Sequence, residues 1–329
     1  MLYIQAKLRT NGSNRYTYMV LNELLGKMEA AEIIERIHRL KAEKNAILLV
    51  HNYQRPEIYK VADFIGDSLE LSREAAKTYA DIIVFCGVYF MAESAYILNP
   101  DKKVLIPVKA RCPMAATATP KDILEMKKEY PNAAVVSYIN TTAAVKAESD
   151  VCCTSSNAVK VVNSMEQDEI IFVPDSNLAK YVARHTHKTI IPWRGNCYVH
   201  HNFSSEALKE AKKLHPDAEV VVHPECGAAV IEEADGVSST SGMLHYIQKS
   251  TATQFIIGTE IGLIERMKLE YPEKTFYQAP PGGVCIQMKK NTLQLTLASL
   301  ELERYDVTVP DEIGRRARRS LERMLEISW

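Results

Sequence analysis

No stretch of the chain approaches the roughly 18 apolar residues that a membrane helix requires, and the N-terminus lacks a basic segment followed by an apolar run and a cleavage site. Both absences predict a cytoplasmic protein. Excess charge is missing too: 40 basic against 41 acidic side chains leave a formal net charge of -1, so no global field recruits nucleic acid or an anionic membrane. The expected partner is a small molecule. No Gly-rich dinucleotide fingerprint and no phosphate-binding P-loop occur, which disfavours nicotinamide, flavin and nucleotide-hydrolysis chemistry. The 7 cysteines are odd in number and scattered over 329 residues. That pattern excludes a secreted disulfide framework and leaves metal binding, catalysis or plain burial.

What the chain does have is length and apolar content, 47% hydrophobic, enough to bury cores in two or three small domains. It also repeats itself, and repeats are read before single motifs. Three segments match: ILLVHNYQRPEIYKVADFIGDSLELS from Ile47, VVSYINTTAAVKAESDVCCTSSNAV from Val135 and VVVHPECGAAVIEEADGVSSTSGML from Val220. Each reads as strand, turn, helix, small polar turn, helix. The pairs His51 with Ser68, Tyr138 with Ser155 and His223 with Thr240 are all 17 residues apart. A second strand follows in each repeat (IIVFCGV, EIIFVPD, FIIGTEI), then a helix and a third extended stretch (KVLIPV, KTIIPW, KTFYQA). Each repeat then enters a loop that carries a cysteine: Cys112, Cys197 and Cys285. Those cysteines are spaced by 85 and 88 residues, tracking the 87 and 85 between His51, Tyr138 and His223.

Runs rich in Val, Ile and Leu that alternate with amphipathic helices indicate parallel sheets covered on both faces. The predicted fold is therefore α/β, with three pseudo-threefold-related α/β/α sandwich domains, small parallel sheets and an active site at their central interface. The expected organisation is an N-terminal arm at 1–27, repeats at 28–113, 114–198 and 199–286, and a C-terminal segment at 287–329 packing back on the first repeat. Pro120 and Ser204 to Ser205 open two of the helices, which end at Pro131 and Pro216. The basic run RRARR on the last helix reads as a solvated face.

Three equivalent loops around a pseudo-threefold axis bring three thiols to one point. Three thiolates fill three corners of a four-iron cubane and leave one iron open, a vacancy that suits Lewis-acid chemistry on a carbonyl, hydroxyl or carboxylate. Cys86, Cys152 and Cys153 read instead as small buried hydrophobes. The rival metal is zinc, with Cys197 and His200 spaced like a ligand pair and Cys226 as the spare ligand, although structural zinc wants four closed ligands. At the end of each first strand, two side chains spaced by two point the same way: His51 and Tyr53, Tyr138 and Asn140, His223 and Glu225. Together they form a ring able to exchange protons and hydrogen bonds. Ser68, Thr154 with Ser155, and Ser239 with Thr240 read as helix caps. Converging helix N-termini would also receive carboxylates or phosphate.

The chain resembles the quinolinate synthases across nearly all of residues 31–327. The likeness is carried by HNYQRPEIYKVADFIGDSLELS, FMAE with ILNPDKKV, CPMA, YINTT, CTSSNAV, the cysteine and histidine of GNCYVH, VVVHPEC, GTEIG and CIQMKKNT. The resemblance implies three α/β/α domains and condensation of iminoaspartate with dihydroxyacetone phosphate to quinolinate, a precursor of NAD. It implies one 4Fe-4S cluster on Cys112, Cys197 and Cys285 with an open iron. It further implies substrate contacts at His51, Ser68, Tyr138, Ile139, Asn140, Ser155, His223, Pro224, Glu225 and Thr240. Tyr53, Glu225 and His223 are the expected catalytic groups, and an aspartate oxidase or dehydrogenase the expected source of the imine. Two departures stand out. Met288 occupies the place where some bacterial members carry the second cysteine of a redox CxxC, so that switch is expected to be absent. Residues 1–27 have no counterpart in compact members, and Met28 is a plausible true start. The alternatives are other three-cysteine iron-sulfur enzymes, a reductive isoprenoid dehydratase or a diphthamide-forming radical enzyme, and a non-catalytic iron-sulfur sensor.

Overall fold

The computed structural model describes residues 28–328; the predicted arm at 1–27 lies outside them. Twelve strands make three four-stranded sheets, all parallel. The first holds β1 (Ala46–His51), β2 (Phe64–Gly66), β3 (Ile82–Cys86) and β4 (Lys103–Leu105). The second holds β5 (Ala134–Tyr138), β6 (Val151–Cys153), β7 (Glu169–Val173) and β8 (Thr189–Pro192). The third holds β9 (Glu219–Val222), β10 (Gly236–Val237), β11 (Gln254–Gly258) and β12 (Thr275–Gln278). Each sheet runs second, first, third, fourth in spatial order. The three-sandwich α/β reading is thus the observed fold.

The short edge strands β2, β6 and β10 fall where the sequence reads as polar turns. Two or three residues are too few to show a period of two. A repeated carboxylate marks each of them. Asp63, Asp150 and Asp235 lie just ahead of or at the entry to these strands and accept the backbone N–H of Leu48, Val135 and Val220 at 2.8, 2.7 and 2.7 Å.

Alternation along the strands sorts the core. Leu48 and Val50 face an outer cluster with Ile33, Ile37 and Leu297. Leu49 faces inward with Ile83 and Phe85. In the second sheet Val135, Ile171 and Val173 point outward and Val136, Ile170 and Phe172 inward. In the third, Val220, Val222 and Ile256 point outward and Val221, Phe255 and Ile257 inward. All three inner faces belong to one contiguous core, the arrangement expected when side chains alternate across strands buried on both sides.

The C-terminal segment divides. Helix Leu293–Leu302 covers the outer face of the first sheet beside helix Ala30–Glu43. Helix Asp311–Ile327 lies mainly on the second repeat against Ala143–Ala147, where Ser320 Oγ donates to the Lys146 carbonyl at 2.9 Å, touches the first repeat where Arg318 donates to the Ile97 carbonyl, and feeds Ala317, Leu321 and Met324 into the shared core. On that helix Arg315 pairs with Glu312 and Arg316 with Glu148. Among the described residues, no helix is long and apolar enough to cross a membrane.

Candidate active site

The carboxyl ends of the strands open on one cavity. Cys112, Cys197 and Cys285 all line it, one from each repeat. Their surroundings match. Each thiol lies at the start of a one-turn helix, Met114–Thr117, Tyr198–His201 or Met288–Lys290. Backbone N–H groups favour each thiolate, those of Ala115 and Met114 at Cys112, that of His200 at Cys197, and those of Met288 and Gln287 at Cys285. Burial pushes the Cys112 thiol up to about 12 and raises Cys197 and Cys285 as well. A bound metal reverses such a shift, because its charge keeps thiolates ionised. Three thiols lining one cavity, one from each repeat, fit an iron-sulfur cluster.

The other cysteines are packed elsewhere. Cys86 lies in the first outer core beside Thr296, Cys152 beside Ser320, and Cys153 in the shared core. Cys226, the candidate spare zinc ligand, is buried in the third outer core with its sulfur against the Gly258 carbonyl at 3.6 Å. The pair Cys197 and His200 does come together, but its third neighbour is Glu225: ligand atoms of all three lie within 4.8 Å.

Two buried carboxylates hold two of the cysteine loops. Asp175 caps helix Ser176–Ala183 through Leu178 N at 2.7 Å and accepts Cys197 N at 2.9 Å. Glu260 caps helix Ile261–Glu270 through Gly262 N at 2.6 Å and accepts Cys285 N at 3.0 Å. These are equivalent positions, and in the first repeat the same place is taken by Val88. Burial and then the nearby Glu225 push Asp175 up to about 8. The sequence carried this signal: VPD and GTE each place an acid directly before a helix.

The predicted ring assembles. His51, Tyr53, Tyr138, Asn140, His223 and Glu225 all line the cavity, as do Ser68, Ser155 and Thr240. Ile139 is buried in the shared core and Pro224 is also buried. The two histidines are built alike: Tyr53 N donates to His51 Nδ1 at 3.1 Å, and Glu225 N donates to His223 Nδ1 at 3.3 Å. Burial, reinforced by His223 and Lys289, lowers His51 to about 3. Burial and then His200 lower His223 to about 4. A neutral His51 with Nδ1 accepting carries its proton on Nε2, whereas His223 Nδ1 also lies 3.3 Å from Glu225 Oε2 and its Nε2 lies 3.2 Å from Ser155 Oγ.

Burial raises Tyr53 and Tyr138, so both phenols stay protonated. Burial alone would raise Glu225, but His200 and His223 outweigh it and hold the carboxyl below its ordinary range. His200 Nδ1 lies 2.6 Å from Glu225 Oε2, and its ring stacks on His223 with centroids 4.3 Å apart. Its Nε2 lies 2.9 Å from Thr259 Oγ1, which lies 2.7 Å from Tyr53 Oη. Thr259 is missing from the predicted site, and His200 enters it only as a rival zinc ligand.

The helix starts differ from expectation. Helix Ser68–Lys77 is capped by Asp67, which accepts Leu69 N and Glu70 N while Glu70 accepts Asp67 N. Ser68 is the first helical residue. Those carboxylates occupy the N–H groups an anion would need, and burial with Glu70 pushes Asp67 up to about 6. The second helix, Ala158–Asn163, begins after Thr154 and Ser155, and Asn157 takes Thr154 N at 2.6 Å. In the third repeat Ser239 caps Thr240–Lys249 as expected, accepting Gly242 N at 3.2 Å.

Sequence comparison agrees with this geometry. The family described as Quinolinate synthetase A protein matches residues 35–326. A quinolinate synthase of Methanoregula boonei is 53% identical over 300 residues, covering 91% of this chain and 99% of the relative. The Pyrococcus furiosus quinolinate synthase is 53% identical over 300 residues, with 90% and 98% covered. That of Methanothermobacter thermautotrophicus is 53% identical over 296 residues, with 89% and 97% covered. With a family match spanning almost all the described residues and relatives about half identical over nearly their whole length, the chain belongs to the quinolinate synthetase A family.

Proposed function

We propose that this chain is a quinolinate synthase, condensing iminoaspartate with dihydroxyacetone phosphate and releasing phosphate and water on the way to NAD. The observation that carries the reading is the convergence of three repeat-equivalent cysteines and a proton-active ring on one cavity. Cys112, Cys197 and Cys285 would hold one 4Fe-4S cluster with an open iron, which supplies Lewis acidity toward a carboxylate, hydroxyl or carbonyl. The imidazoles of His51 and His223 and the amide of Asn140 would bind the carboxylates of the imine. Ser155 and the start of helix Thr240–Lys249 are the better place for phosphate, since the first helix start is self-satisfied. Tyr53 and Glu225 would move protons within a pocket that excludes bulk water. The imine, prone to hydrolysis, would come from an aspartate oxidase or dehydrogenase acting nearby.

The test is anaerobic purification with iron, sulfide and zinc analysis, followed by assay with the two substrates. About four irons per chain, a broad visible absorption and quinolinate as product are expected. A zinc-loaded protein, or iron-loaded protein that makes no quinolinate, overturns the reading.

A further inference from the structure

The segment that carries the third cysteine is fastened across a seam to the first repeat. Arg55 Nε donates to the Lys289 carbonyl at 3.1 Å, Gln54 Nε2 to the Met288 sulfur at 3.4 Å and Asn291 Nδ2 to the Gly87 carbonyl at 3.0 Å. The Lys289 ammonium joins the two sides. It donates to the Tyr53 carbonyl at 2.8 Å and to Glu260 Oε2 at 3.1 Å, while Glu260 Oε1 accepts Cys285 N at 3.0 Å. Water offsets little of either charge, since the Glu260 side chain is fully buried and that of Lys289 is 13% exposed. The fit is close. A Cβ on Gly262 would stand 2.5 Å from Lys289 Nζ and 2.8 Å from both the Gln54 carbonyl oxygen and the Tyr53 carbonyl carbon, so a bare glycine is what admits the ammonium there.

We propose that Lys289 is a positioning residue that ties the Tyr53 loop to the Cys285 loop, holding the phenol that handles protons at a fixed place relative to the third cluster ligand. The proposal rests on the quinolinate synthase reading. Two oxygens that repel each other, a carbonyl from the first repeat and a carboxylate from the third, are joined by a group that only donates, and an ammonium has three N–H bonds to give. Without it Glu260 is a buried charge with no counter-ion, and the Tyr53 carbonyl loses a donor. The two loops then shift independently. A displaced Tyr53 slows proton transfer and leaves carboxylate binding to the other ring residues, so kcat falls while KM holds.

Lys289→Met keeps the stem and removes the ammonium. Iron binding under chelator challenge should weaken about 10- to 100-fold, the usual range for groups that orient metal ligands and reacting side chains, and kcat per cluster should fall by a similar factor with KM unchanged. Because Lys289 reaches Cys285 through Glu260, the iron-binding losses of Lys289→Met and Glu260→Gln should not add in the double variant. That double variant buries no lone charge and, with Glu260→Gln as its reference, carries the kcat and exchange comparisons if Lys289→Met does not fold. In iron-free protein, hydrogen exchange read by mass spectrometry should quicken in Lys289→Met at both 51–55 and 283–290, while the second sheet exchanges as in the parent. Parental kcat, a rise in KM alone, parental iron retention or additive iron losses each overturn the proposal. So does exchange that is unchanged at 51–55 or faster throughout the chain, which would make Lys289 a packing residue. If the parent makes no quinolinate, the functional reading fails, and exchange in the iron-free protein still decides whether Lys289 joins the two loops.

Discussion

Tyr59 and Lys146 hold the same place in two repeats and perform the same task with different chemistry. The Tyr59 hydroxyl donates to the carbonyls of Asn52 and Gln54 at 2.8 and 3.0 Å. Lys146 Nζ donates to the equivalent carbonyls, Ile139 at 2.8 Å and Thr141. Each clamps the loop that carries half of a repeat's contribution to the polar ring. Lys146 is fully buried, its ammonium faces the Phe90 ring, and burial lowers its pKa.

Replacing Lys146 by Met leaves two carbonyls without their donor and Glu93 without its neighbouring cation. A loss of about 3 kcal/mol is expected, against about 1 kcal/mol for Tyr59→Phe, where a neutral hydroxyl is removed. Urea unfolding of the two variants beside the parent measures both. Equal midpoints for Lys146→Met and parent would show that the clamp contributes nothing.

The two buried carboxylates behind the cysteine loops predict a graded effect on cluster retention. Asp175→Asn and Glu260→Gln should each weaken iron binding about 10- to 100-fold, the usual cost of disturbing the groups that orient metal ligands. Challenge with a chelator, followed through the visible absorption, reads this directly. The Cys112 loop has Val88 at the equivalent place, so Val88→Ala should retain iron as the parent does.

Glu225→Gln separates chemistry from assembly. The amide preserves shape and fills the same space, so the cluster absorption should be that of the parent. Quinolinate formation should fall below detection, because the carboxylate paired with His200 and His223 is gone. Full turnover by this variant removes Glu225 from the mechanism.

The histidines give stability a pH dependence of known sign. A histidine whose pKa falls on folding binds its proton better when unfolded, so stability present above pH 6.5 is lost as the pH drops toward the folded value. His51 falls to about 3 and His223 to about 4. Asp67 and Asp175, raised to about 6 and about 8, act in the opposite sense. A difference measurement isolates the histidines: parent minus the His51→Asn, His223→Asn double variant. That difference should shrink by up to about 2.8 kcal/mol per pH unit between pH 6 and 5, two protons at about 1.4 each. A flat difference would contradict the buried, neutral imidazoles.

The threefold repeat was legible because its markers recur at one spacing: three cysteines and three polar pairs at the strand ends. Tyr59 and Lys146 escaped notice because unlike side chains filled one position. His200 and Thr259 come from different parts of the chain and meet Tyr53 only in space, with no periodicity to announce them. Ser68 was read as a cap because serine commonly is one, yet Asp67 beside it, with Glu70 three residues on, forms the stronger reciprocal pair. The choice of neighbour for helix Asp311–Ile327 depends on surface complementarity rather than on its own amphipathic pattern.

The shared inner core has an outcome for dissection of the molecule. A fragment cut to a single repeat would turn one whole oily sheet face toward water and clump rather than fold, so the three units should melt together as one. The reaction chamber, built where they join, then lasts as long as the whole protein does and cannot be grafted out by borrowing one third of it.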